Sequence, residues 1–295
     1  MRNQSIEQLY QLYQLDQRAR QLSPRTIEFY AWKLPQFFGW CEDNGVNFFS
    51  ELTPTHIKTY LIFQADNGLS DYTVRGSAMA IRAFCRFVVR EGLATDNPFD
   101  GVRMPREPER VLPAFTPSDV QKLLRAARNH RDRALVMVLL DTGMRAAETM
   151  SLVGSDINLD AGEILIRKGK GNRGRLVYLG AKAQKQMFLY FMRRGTPRAN
   201  EHVFRNENTG KGAISRSRFF KIFNDLGKRA GVNPCTPHRF RRTFAITMAR
   251  AGTNIHMIAR LMGHKDITVL KRYWDITPED LREAHRQASP ADKLL

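Results

Sequence analysis

Residues 236–244 (TPHRFRRTF) combine a helix start with a high concentration of positive charge. Thr236 is a good helix-capping residue and Pro237 suits the first helical position, so the sequence predicts a helix that begins here. Its first turns, where the helix dipole is already positive, contain four cations: His238, Arg239, Arg241 and Arg242. His238 and Arg241 lie on one helix face, where a phosphate would meet both side chains and the free amide groups of the helix start. The alternative is that the cations are solvated, which we expect of Arg239 and Arg242.

Five further residues have side chains suited to phosphate chemistry, although each is weak evidence alone. Arg145 begins a predicted helix and Glu148 follows three residues later on the same face, where a simple ion pair would explain both. Lys170 lies at the tip of a glycine-flanked hairpin (GKGNRG), and polar turns commonly contain lysine. His264 follows a glycine at a predicted helix junction, and Tyr273 lies nine residues later. A tyrosine phenol, with an ordinary pKa near ~10, becomes a nucleophile only if surrounding cations favour the phenolate.

The sequence offers no support for a metal or nucleotide cofactor. His238 and His264 have no Asp, Glu or Cys at the spacing of a metal site. The GKG turn lacks the strand-loop-helix setting of a P-loop and the Ser or Thr that follows its lysine. Cys41, Cys85 and Cys235 form neither a disulfide framework nor a CxxC pair, so we expect reduced thiols in a cytosolic protein.

Across its 295 residues the chain has 47 Lys and Arg against 29 Asp and Glu, a formal net charge of +18. Such an excess favours a polyanionic partner. A membrane surface is the competing interpretation, but no stretch reaches about 18 uninterrupted apolar residues and no single amphipathic helix carries the excess charge. A cationic surface without a specific partner is also compatible with the charge. The start of the chain lacks the apolar core of a signal peptide, so we expect a cytoplasmic location.

The N-terminal third of the sequence predicts four helices of similar length. Ser23-Pro24 and Thr53-Pro54 are typical helix starts, and Asn44-Gly45 and Asn67-Gly68 are typical helix ends. Apolar residues recur at helical spacing between these signals. The predicted helices cover residues 6–21, 24–44, 54–67 and 72–90. We interpret residues 1–102 as a helical bundle.

Residues 103–113 predict a linker. Pro105, Pro108 and Pro113 favour extended backbone and remove amide donors, so this segment belongs to neither neighbouring helix. The linker is basic, with arginines at three positions: Arg103, Arg106 and Arg110.

The remaining residues, 114–295, predict a mainly helical domain with one β-hairpin. Helix restarts at Thr116, and the apolar run from Ala134 to Leu140 predicts a buried helix. The period changes to two in residues 163–179, where turn residues separate two apolar segments. The turn carries four cations: Lys168, Lys170, Arg173 and Arg175. The predicted fold class is therefore mainly α with a small β-hairpin or sheet, an α+β domain that follows the N-terminal bundle.

Six residues occur in an order that resembles the signature of the tyrosine recombinase (phage integrase) family: Arg145, Lys170, His238, Arg241, His264 and Tyr273. Four segments resemble the corresponding family boxes: TGMRAAE, GKGNRG, HRFRRTFA and MGHKDITVLKRYW. The N-terminal part resembles the family's core-binding domain, so the resemblance spans nearly the whole chain and is nearest to the Xer-like members. Three positions depart from the usual residues without removing a catalytic group: Ala147, Phe240 and Trp274.

This resemblance implies a reaction in which Tyr273 attacks a scissile DNA phosphate, giving a 3′-phosphotyrosyl link and a free 5′-hydroxyl. Arg145 and Arg241 would clamp the non-bridging oxygens, because fixed guanidinium groups stabilise the charge of a phosphorane-like transition state. His238 would act as a base or as a phosphate ligand. Lys170 would protonate the departing 5′-oxygen.

The resemblance implies supporting roles for other residues. His264 would donate a hydrogen bond to the phosphate, and Glu148 would orient the Arg and His groups. No metal or ATP would be required, since the cations stabilise charge as Mg²⁺ does elsewhere. A further set of cations would contact DNA: Arg103, Arg106, Arg110, Lys168, Arg173, Arg175, Arg239 and Arg242.

The partner implied by the resemblance is double-stranded DNA with a specific recombination site. Four protomers on two duplexes would be the working assembly, with a monomer or weak oligomer in the free form. The outcome would be integration, excision, inversion or dimer resolution. Two alternatives remain open: a type IB-like topoisomerase, which reseals one strand without exchange, and a non-catalytic DNA-binding regulator with this fold. Strand transfer between two DNA molecules distinguishes a recombinase from a topoisomerase, and a pure binder has no need for a positioned phenol.

Overall fold

The computed structural model describes residues 4–106, 113–167, 174–206, 209–210, 212–264, 282, 286 and 289. The chain divides into two compact units, Met1–Arg110 and Val111–Leu295. Both units are mostly helical, and the second also contains a small sheet. Among the helices in these ranges, none combines the length and the apolar character needed to cross a bilayer.

The N-terminal unit contains the four predicted helices. Their bounds are α1 Ile6–Ala19, α2 Pro24–Asp43, α3 Pro54–Asp66 and α4 Asp71–Arg90. Each begins after a hydroxyl side chain that accepts a hydrogen bond from the backbone amide three residues later, at Ser5, Ser23, Thr53 and Ser70. Proline occupies the start of α2 and α3, as predicted. The capping signals therefore located these helices to within two residues.

The core of this unit is rich in aromatic side chains. Phe37 of α2 and Phe84 of α4 are fully buried, and the Tyr13 ring meets Phe84 edge-on with centroids 5.8 Å apart. One cation is buried beside this core: Lys33 Nζ donates to the Thr73 carbonyl at 3.0 Å. Burial lowers the pKa of Lys33. The lysine thus joins α2 to α4 through a backbone acceptor, which satisfies its charged group in the interior.

The second unit is built around the helix that the apolar run predicts. Its helices are α5 Pro117–Ala126, α6 His130–Thr142, α7 Ala146–Ser151, α8 Ala181–Arg194, α9 Arg216–Ala230, α10 Pro237–Arg250 and α11 Ile255–Met262. Most residues in the central turns of α6 are fully buried, and α6 packs against α8 and α10. It ends at Gly143, whose φ of 57° is left-handed, and a Cβ there would lie 2.5 Å from the Phe244 ring. Glycine therefore allows α6 to turn sharply into the segment before α7.

The sheet of this unit has three antiparallel strands in the order β1-β2-β3. The strands are β1 Ile157–Asn158, β2 Glu163–Ile166 and β3 Arg175–Tyr178. Ile164 pairs with Val177 on the buried face, and Ile166 pairs with Arg175 at the end of the hairpin. The predicted hairpin is confirmed, and β1 adds an edge strand that the sequence analysis did not predict. The hairpin tip, with Lys168, Lys170 and Arg173, lies outside the described residues.

The last two helices position the segment that contains the phosphate-binding candidates. The α10 helix starts as predicted, since Thr236 Oγ1 accepts from the Arg239 amide at 3.3 Å and Pro237 is the first helical residue. The α11 helix ends at Gly263, whose φ of 68° is left-handed. His264 follows directly and is the last residue of the continuous described segment.

Candidate active site

Arg145 lies at the start of α7, two residues after the end of α6. Its backbone amide donates to Glu148 Oε2 at 2.8 Å, and its Nη1 donates to Glu148 Oε1 at 3.0 Å. Its Nη2 donates to the Gly263 carbonyl at 3.2 Å. The Arg145 side chain is 31% exposed, whereas the Glu148 side chain is 6% exposed. One guanidinium is therefore fixed by a buried carboxylate and still faces solvent.

Arg241, in the second turn of α10, is only 4% exposed. Its Nη1 donates to the Gly143 carbonyl at 2.6 Å and its Nη2 donates to the Met262 carbonyl at 2.7 Å. The same Nη2 lies 2.8 Å from Nε2 of His264. Arg241 thus connects the two segments that Arg145 also connects, residues 143–145 and residues 262–264.

The contact between Arg241 and His264 fixes the protonation of the histidine. A guanidinium only donates hydrogen bonds, so Nε2 of His264 is the acceptor and the ring proton lies on Nδ1. Burial, followed by the charges of Arg241 and Arg145, lowers the pKa of His264 to about 4. The imidazole is therefore neutral at neutral pH and presents one N–H donor.

Three arginines donate to three successive backbone carbonyls at the end of α11. Arg175 Nε donates to the first at 2.7 Å, Arg241 to the second at 2.7 Å and Arg145 to the third at 3.2 Å. The acceptors, in order, are the carbonyls of Leu261, Met262 and Gly263. The last carbonyls of a helix lack intrahelical partners, and cations are favourable at this negative end of the dipole. The three guanidinium groups thereby hold the end of α11 and gather positive charge beside His264.

Arg175 corrects a sequence-based prediction. We expected it to contact DNA from the hairpin, but its side chain is only 9% exposed and is hydrogen bonded to Glu148. Nη1 donates to Oε1 at 2.9 Å and Nη2 to Oε2 at 2.8 Å. Burial alone would raise the pKa of Glu148, but the hydrogen bonds and charges of Arg175 and Arg145 outweigh burial and lower it. Glu148 is therefore a carboxylate shared by two arginines.

His238 is the second residue of α10, one turn before Arg241. Its residue surface is exposed, in contrast to that of Arg241. Partial withdrawal from water, with the charges of Arg241 and Arg242, lowers the pKa of His238. The neutral form of this imidazole is thus favoured near neutral pH, although the ring remains accessible.

Arg239 is a second correction, because the structure places it in the interior rather than in solvent or on a DNA-binding surface. The residue is 7% exposed, and its Nε donates to the Pro113 carbonyl at 2.9 Å. Nη1 donates to the Pro234 carbonyl at 3.1 Å, and Nη2 lies 3.5 Å from Asp119. The guanidinium also lies 4.1 Å from the centroid of the Phe115 ring. These partners explain why Arg239 is stable inside the protein.

The other predicted DNA contacts differ in their exposure. Arg242 is 5% exposed, so the expectation of a solvated or DNA-contacting side chain is not met there either. Arg103 and Arg106 are exposed. Five predicted site residues lie outside the described residues: Arg110, Lys168, Lys170, Arg173 and Tyr273. From the predicted set, the structure brings together five residues: Arg145, Glu148, Arg175, Arg241 and His264.

The sequence contained a signal for the inward direction of Arg175. Side chains two residues apart in a strand share a face, and Val177 is only 1% exposed. Arg175 precedes this buried valine by two residues, so strand periodicity places both side chains on the inward face. The backbone carbonyls at the end of α11 carried no such side-chain signal, and sequence analysis missed them as ligands of the arginines.

None of the three cysteines was predicted to take part in this chemistry. Cys41, Cys85 and Cys235 are buried free thiols. Burial raises the pKa of Cys41 and of Cys235 to about 12, so both are protonated at neutral pH. Within the described ranges, no group of His, Cys, Asp and Glu side chains has the arrangement of a metal site.

Two family models match the chain. The model described as "Phage integrase family" matches residues 113–280. The model described as "Phage integrase, N-terminal SAM-like domain" matches residues 10–92. Each matched segment lies within one of the two compact units.

Relatives and solved structures are similar along nearly the whole chain. The tyrosine recombinase XerD of Halalkalibacterium halodurans is 28% identical over 299 residues, which cover 98% of each protein. A crystal structure of XerA recombinase is 25% identical with a TM-score of 0.54 and covers 92% of this chain and 94% of that chain. A lambda integrase tetramer bound to a Holliday junction is 17% identical with a TM-score of 0.77, covers 93% of this chain and 78% of that chain, and shows likeness of fold alone. The chain therefore belongs to the phage integrase family, the tyrosine recombinases, which are site-specific DNA recombinases.

Proposed function

We propose that this protein cleaves and rejoins DNA through a covalent link between Tyr273 and a 3′-phosphate of the DNA. The observation that supports this most is the meeting of Arg145 and Arg241 at residues 262–264, next to a neutral histidine. Tyr273 follows this segment after nine residues, which gives the reactive phenol a short tether to the cationic site.

The two arginines are suited to a phosphodiester because both guanidinium groups are held before any ligand arrives. Arg145 is fixed by Glu148 and by the Gly263 carbonyl, while Arg241 is fixed by two further carbonyls. Donors that are already oriented stabilise developing negative charge without reorganising during the reaction. Planar guanidinium groups also match the geometry of phosphate oxygens. We assign to this pair the two non-bridging oxygens of the scissile phosphate.

The two histidines would act as neutral groups in this reaction. His264, with its proton on Nδ1 and its pKa near 4, would donate a hydrogen bond to the phosphate. His238, whose pKa is also lowered, would accept the Tyr273 proton or bind the phosphate. The nearby arginines favour the deprotonated form of both imidazoles, which keeps the fixed positive charge on the guanidinium groups.

The proposed step conserves atoms and charge without a metal or ATP. The Tyr273 oxygen forms a bond to phosphorus as the bond from phosphorus to the 5′-oxygen breaks, and the phenol proton passes to His238. Lys170 supplies a proton to the departing 5′-oxygen. Attack by a 5′-hydroxyl of a second strand on the phosphotyrosyl ester then completes strand exchange.

The partner in this proposal is double-stranded DNA with a specific site. Residues 1–102 would form the core-binding domain, residues 114–295 the catalytic domain, and residues 103–113 a basic linker, in which exposed Arg103 and Arg106 would contact the DNA backbone. By analogy with the lambda integrase tetramer on a Holliday junction, four protomers would act on two duplexes, and the free protein would be a monomer or weak oligomer. A protein that recombines chromosomal or mobile DNA in this way would act in the cytoplasm.

A nicked suicide substrate tests the proposal. Loss of the short strand beyond the nick traps the covalent intermediate, and mapping of the trapped peptide should identify Tyr273. The Tyr273→Phe variant should bind the same DNA without an adduct, whereas an adduct formed by this variant would exclude Tyr273 as the nucleophile. Transfer of the cleaved strand to a second duplex is expected of a recombinase, and relaxation of supercoils alone would instead identify a topoisomerase.

A further inference from the structure

Arg175 forms a second connection between Glu148 and the end of α11, in addition to the one that Arg145 forms. Its Nη1 and Nη2 bind both oxygens of Glu148 at 2.9 and 2.8 Å. Its Nε donates to the Leu261 carbonyl at 2.7 Å. The carboxylate that orients Arg145 is therefore tied to the end of α11 through one further side chain, which comes from β3.

The geometry of this contact requires a guanidinium. Arginine has five N–H donors in a rigid planar fork, and here the fork reaches a carboxylate on one edge and a backbone carbonyl at Nε. A lysine ammonium is a single point of positive charge on a flexible stem, so it would hold one of these acceptors less rigidly. The arrangement thus depends on shape as well as on charge.

Its contacts distinguish Arg175 from the two arginines assigned to the phosphate in the proposed function. The Arg175 side chain is 9% exposed and that of Glu148 is 6% exposed, whereas that of Arg145 is 31% exposed. Arg241 is as buried as Arg175, but it lies 2.8 Å from His264, whereas Arg175 binds both oxygens of Glu148. Gly263 lies directly against Arg175, because a Cβ there would lie 2.7 Å from Arg175 Nη1. Arg175 therefore lies behind Glu148 and Gly263, with Nε, Nη1 and Nη2 all donating to protein acceptors.

We infer that Arg175 is a positioning residue for DNA cleavage, which acts by holding Glu148 ionised and oriented toward Arg145 and by holding the end of α11 that leads to His264. This inference rests on the proposed function. It replaces the DNA contact that the position of Arg175 beside the hairpin turn suggested.

The competing explanation is a buried ion pair that serves stability alone. Among the residues that the structure describes, the charged and titratable groups that act on Glu148 are Arg145, Arg175 and His264. If Arg175 is removed, burial is opposed by Arg145 alone, so the pKa of Glu148 rises and the carboxyl becomes protonated nearer to neutral pH. A protonated Glu148 holds Arg145 less firmly, so cleavage, and not only folding, would then depend on the ionisation of Glu148.

Cleavage of the suicide substrate should be measured for Arg175→Gln, Arg175→Lys and a matched control, Arg167→Gln. Arg167 follows β2 in the same sheet and also forms an arginine–carboxylate pair, with Asp156, but it is 53% exposed. We expect Arg175→Gln to lose about 10- to 100-fold in cleavage rate with DNA affinity retained, since small misplacements of reacting groups cost about this much. Arg175→Lys should fall between this variant and wild type, and Arg167→Gln should stay near wild type.

The pH dependence separates positioning from stability. In Arg175→Gln the acidic limb of the cleavage profile should move toward neutral pH by about one to three pH units. The shift should disappear in Arg175→Gln/Glu148→Gln, and the double variant should cleave no more slowly than the slower single variant. An unshifted limb, or rate losses that multiply in the double variant, would overturn the inference.

Glu148 can also be titrated without DNA, by ¹³C NMR of its carboxyl carbon in wild type and in Arg175→Gln. A higher pKa in the variant is expected, and an unchanged pKa would overturn the inference even if the variant cleaved slowly. Absence of a covalent adduct in the wild type would instead contradict the proposed function, and the NMR comparison would still report on the pairing.

Discussion

The start of α10 and the end of α11 both gather arginines, but at opposite ends of a helix dipole. At the end of α11 three guanidinium groups donate to the carbonyls of residues 261–263, where positive charge is favourable. At the start of α10 the same type of side chain would oppose the dipole. Two of the three buried arginines there, Arg239 and Arg241, direct their guanidinium groups to acceptors outside α10.

The difference shows that the helix to which an arginine belongs does not determine where its guanidinium group lies. Arg239 binds carbonyls and approaches Asp119, which makes it part of the interior. Arg241 belongs to α10 in sequence, but its charge lies at the end of α11 beside His264. The conflict between four cations and one helix start is therefore partly resolved inside the protein, and only part of it is left for a substrate anion.

The largest expected effect comes from comparing alanine substitutions of Arg241 and Arg239. Arg241→Ala should reduce cleavage by about 10²- to 10³-fold, as for loss of one oriented donor at a developing anion. Arg239→Ala should instead lower the free energy of unfolding by about 2 to 3 kcal/mol, because its buried hydrogen bonds are lost. Suicide-substrate kinetics and urea denaturation of both variants make the comparison.

The folded Arg239→Ala protein should cleave at close to the wild-type rate. Equal losses of cleavage in the two variants would mean that Arg239 and Arg241 contribute equally to cleavage. The end of α11 would then have no special role.

A smaller effect is expected at the glycine that ends α11. Gly263→Ala places a Cβ 2.7 Å from Arg175 Nη1 at a φ of 68°, so it should displace Arg175 and slow cleavage by about tenfold. Gly231→Ala is the matched control, because Gly231 ends α9 with a φ of 66° and nothing lies near its Cβ position. Both variants should lose about 1 to 2 kcal/mol of stability from left-handed strain.

Cleavage and thermal denaturation should be measured for the two glycine variants together. If Gly231→Ala slowed cleavage as much as Gly263→Ala, the effect would come from helix-end strain and not from the arginines at the end of α11.

The neutral state of His264 gives the stability of the protein a pH dependence. The pKa of His264 falls from 6.5 in the unfolded chain to about 4 in the folded one, so the unfolded state binds more protons between these values. The neutral ring therefore makes its full contribution to the free energy of unfolding above pH 6.5, and this contribution is lost as the pH falls toward 4. His264→Gln, which keeps an acceptor for Arg241, should reduce the stability lost between pH 7 and pH 4.5 by about 1 to 2 kcal/mol, allowing for solvent screening.

Urea denaturation at several pH values measures this effect. The same acid sensitivity in wild type and in His264→Gln would show that the ring is not held neutral by its cationic neighbours.

The smallest expected effect concerns the ordinary part of the α10 start. Thr236→Ala removes the side-chain oxygen that accepts from the Arg239 amide and should cost about 1 kcal/mol of stability. Cleavage by the folded protein should be unchanged, because the charge of Arg241 lies at the end of α11 and not at the start of α10. A large loss of cleavage on kinetic assay would indicate that the α10 start itself binds the phosphate.

Much of the fold could be predicted because it depends on local signals. Hydroxyl caps and prolines located α2, α3 and α10, and alternating apolar residues located the hairpin. The order of the site residues likewise identified the family. The caps, the prolines and the alternating apolar residues each act on backbone within a few positions of themselves.

The partners of the arginines could not be predicted, because they are backbone carbonyls far away in sequence. Arg241 donates to the carbonyl of residue 143, which lies 98 positions earlier. A carbonyl is present at every residue, so no residue type marks the ones that accept. Charge patterning predicted an anion site at α10, but it could not separate Arg241, which lies beside His264, from Arg239, which donates to the Pro113 carbonyl.

In the proposed mechanism, Arg145 and Arg241 neutralise the charge of the scissile phosphate. Wild type and Arg241→Ala should be compared on a phosphodiester and on a methylphosphonate, whose methyl group replaces one charged oxygen. We expect the variant to be slower by about 10²- to 10³-fold on the phosphodiester but by less than about tenfold on the uncharged methylphosphonate. The same ratio of rates on both substrates would contradict the proposed mechanism.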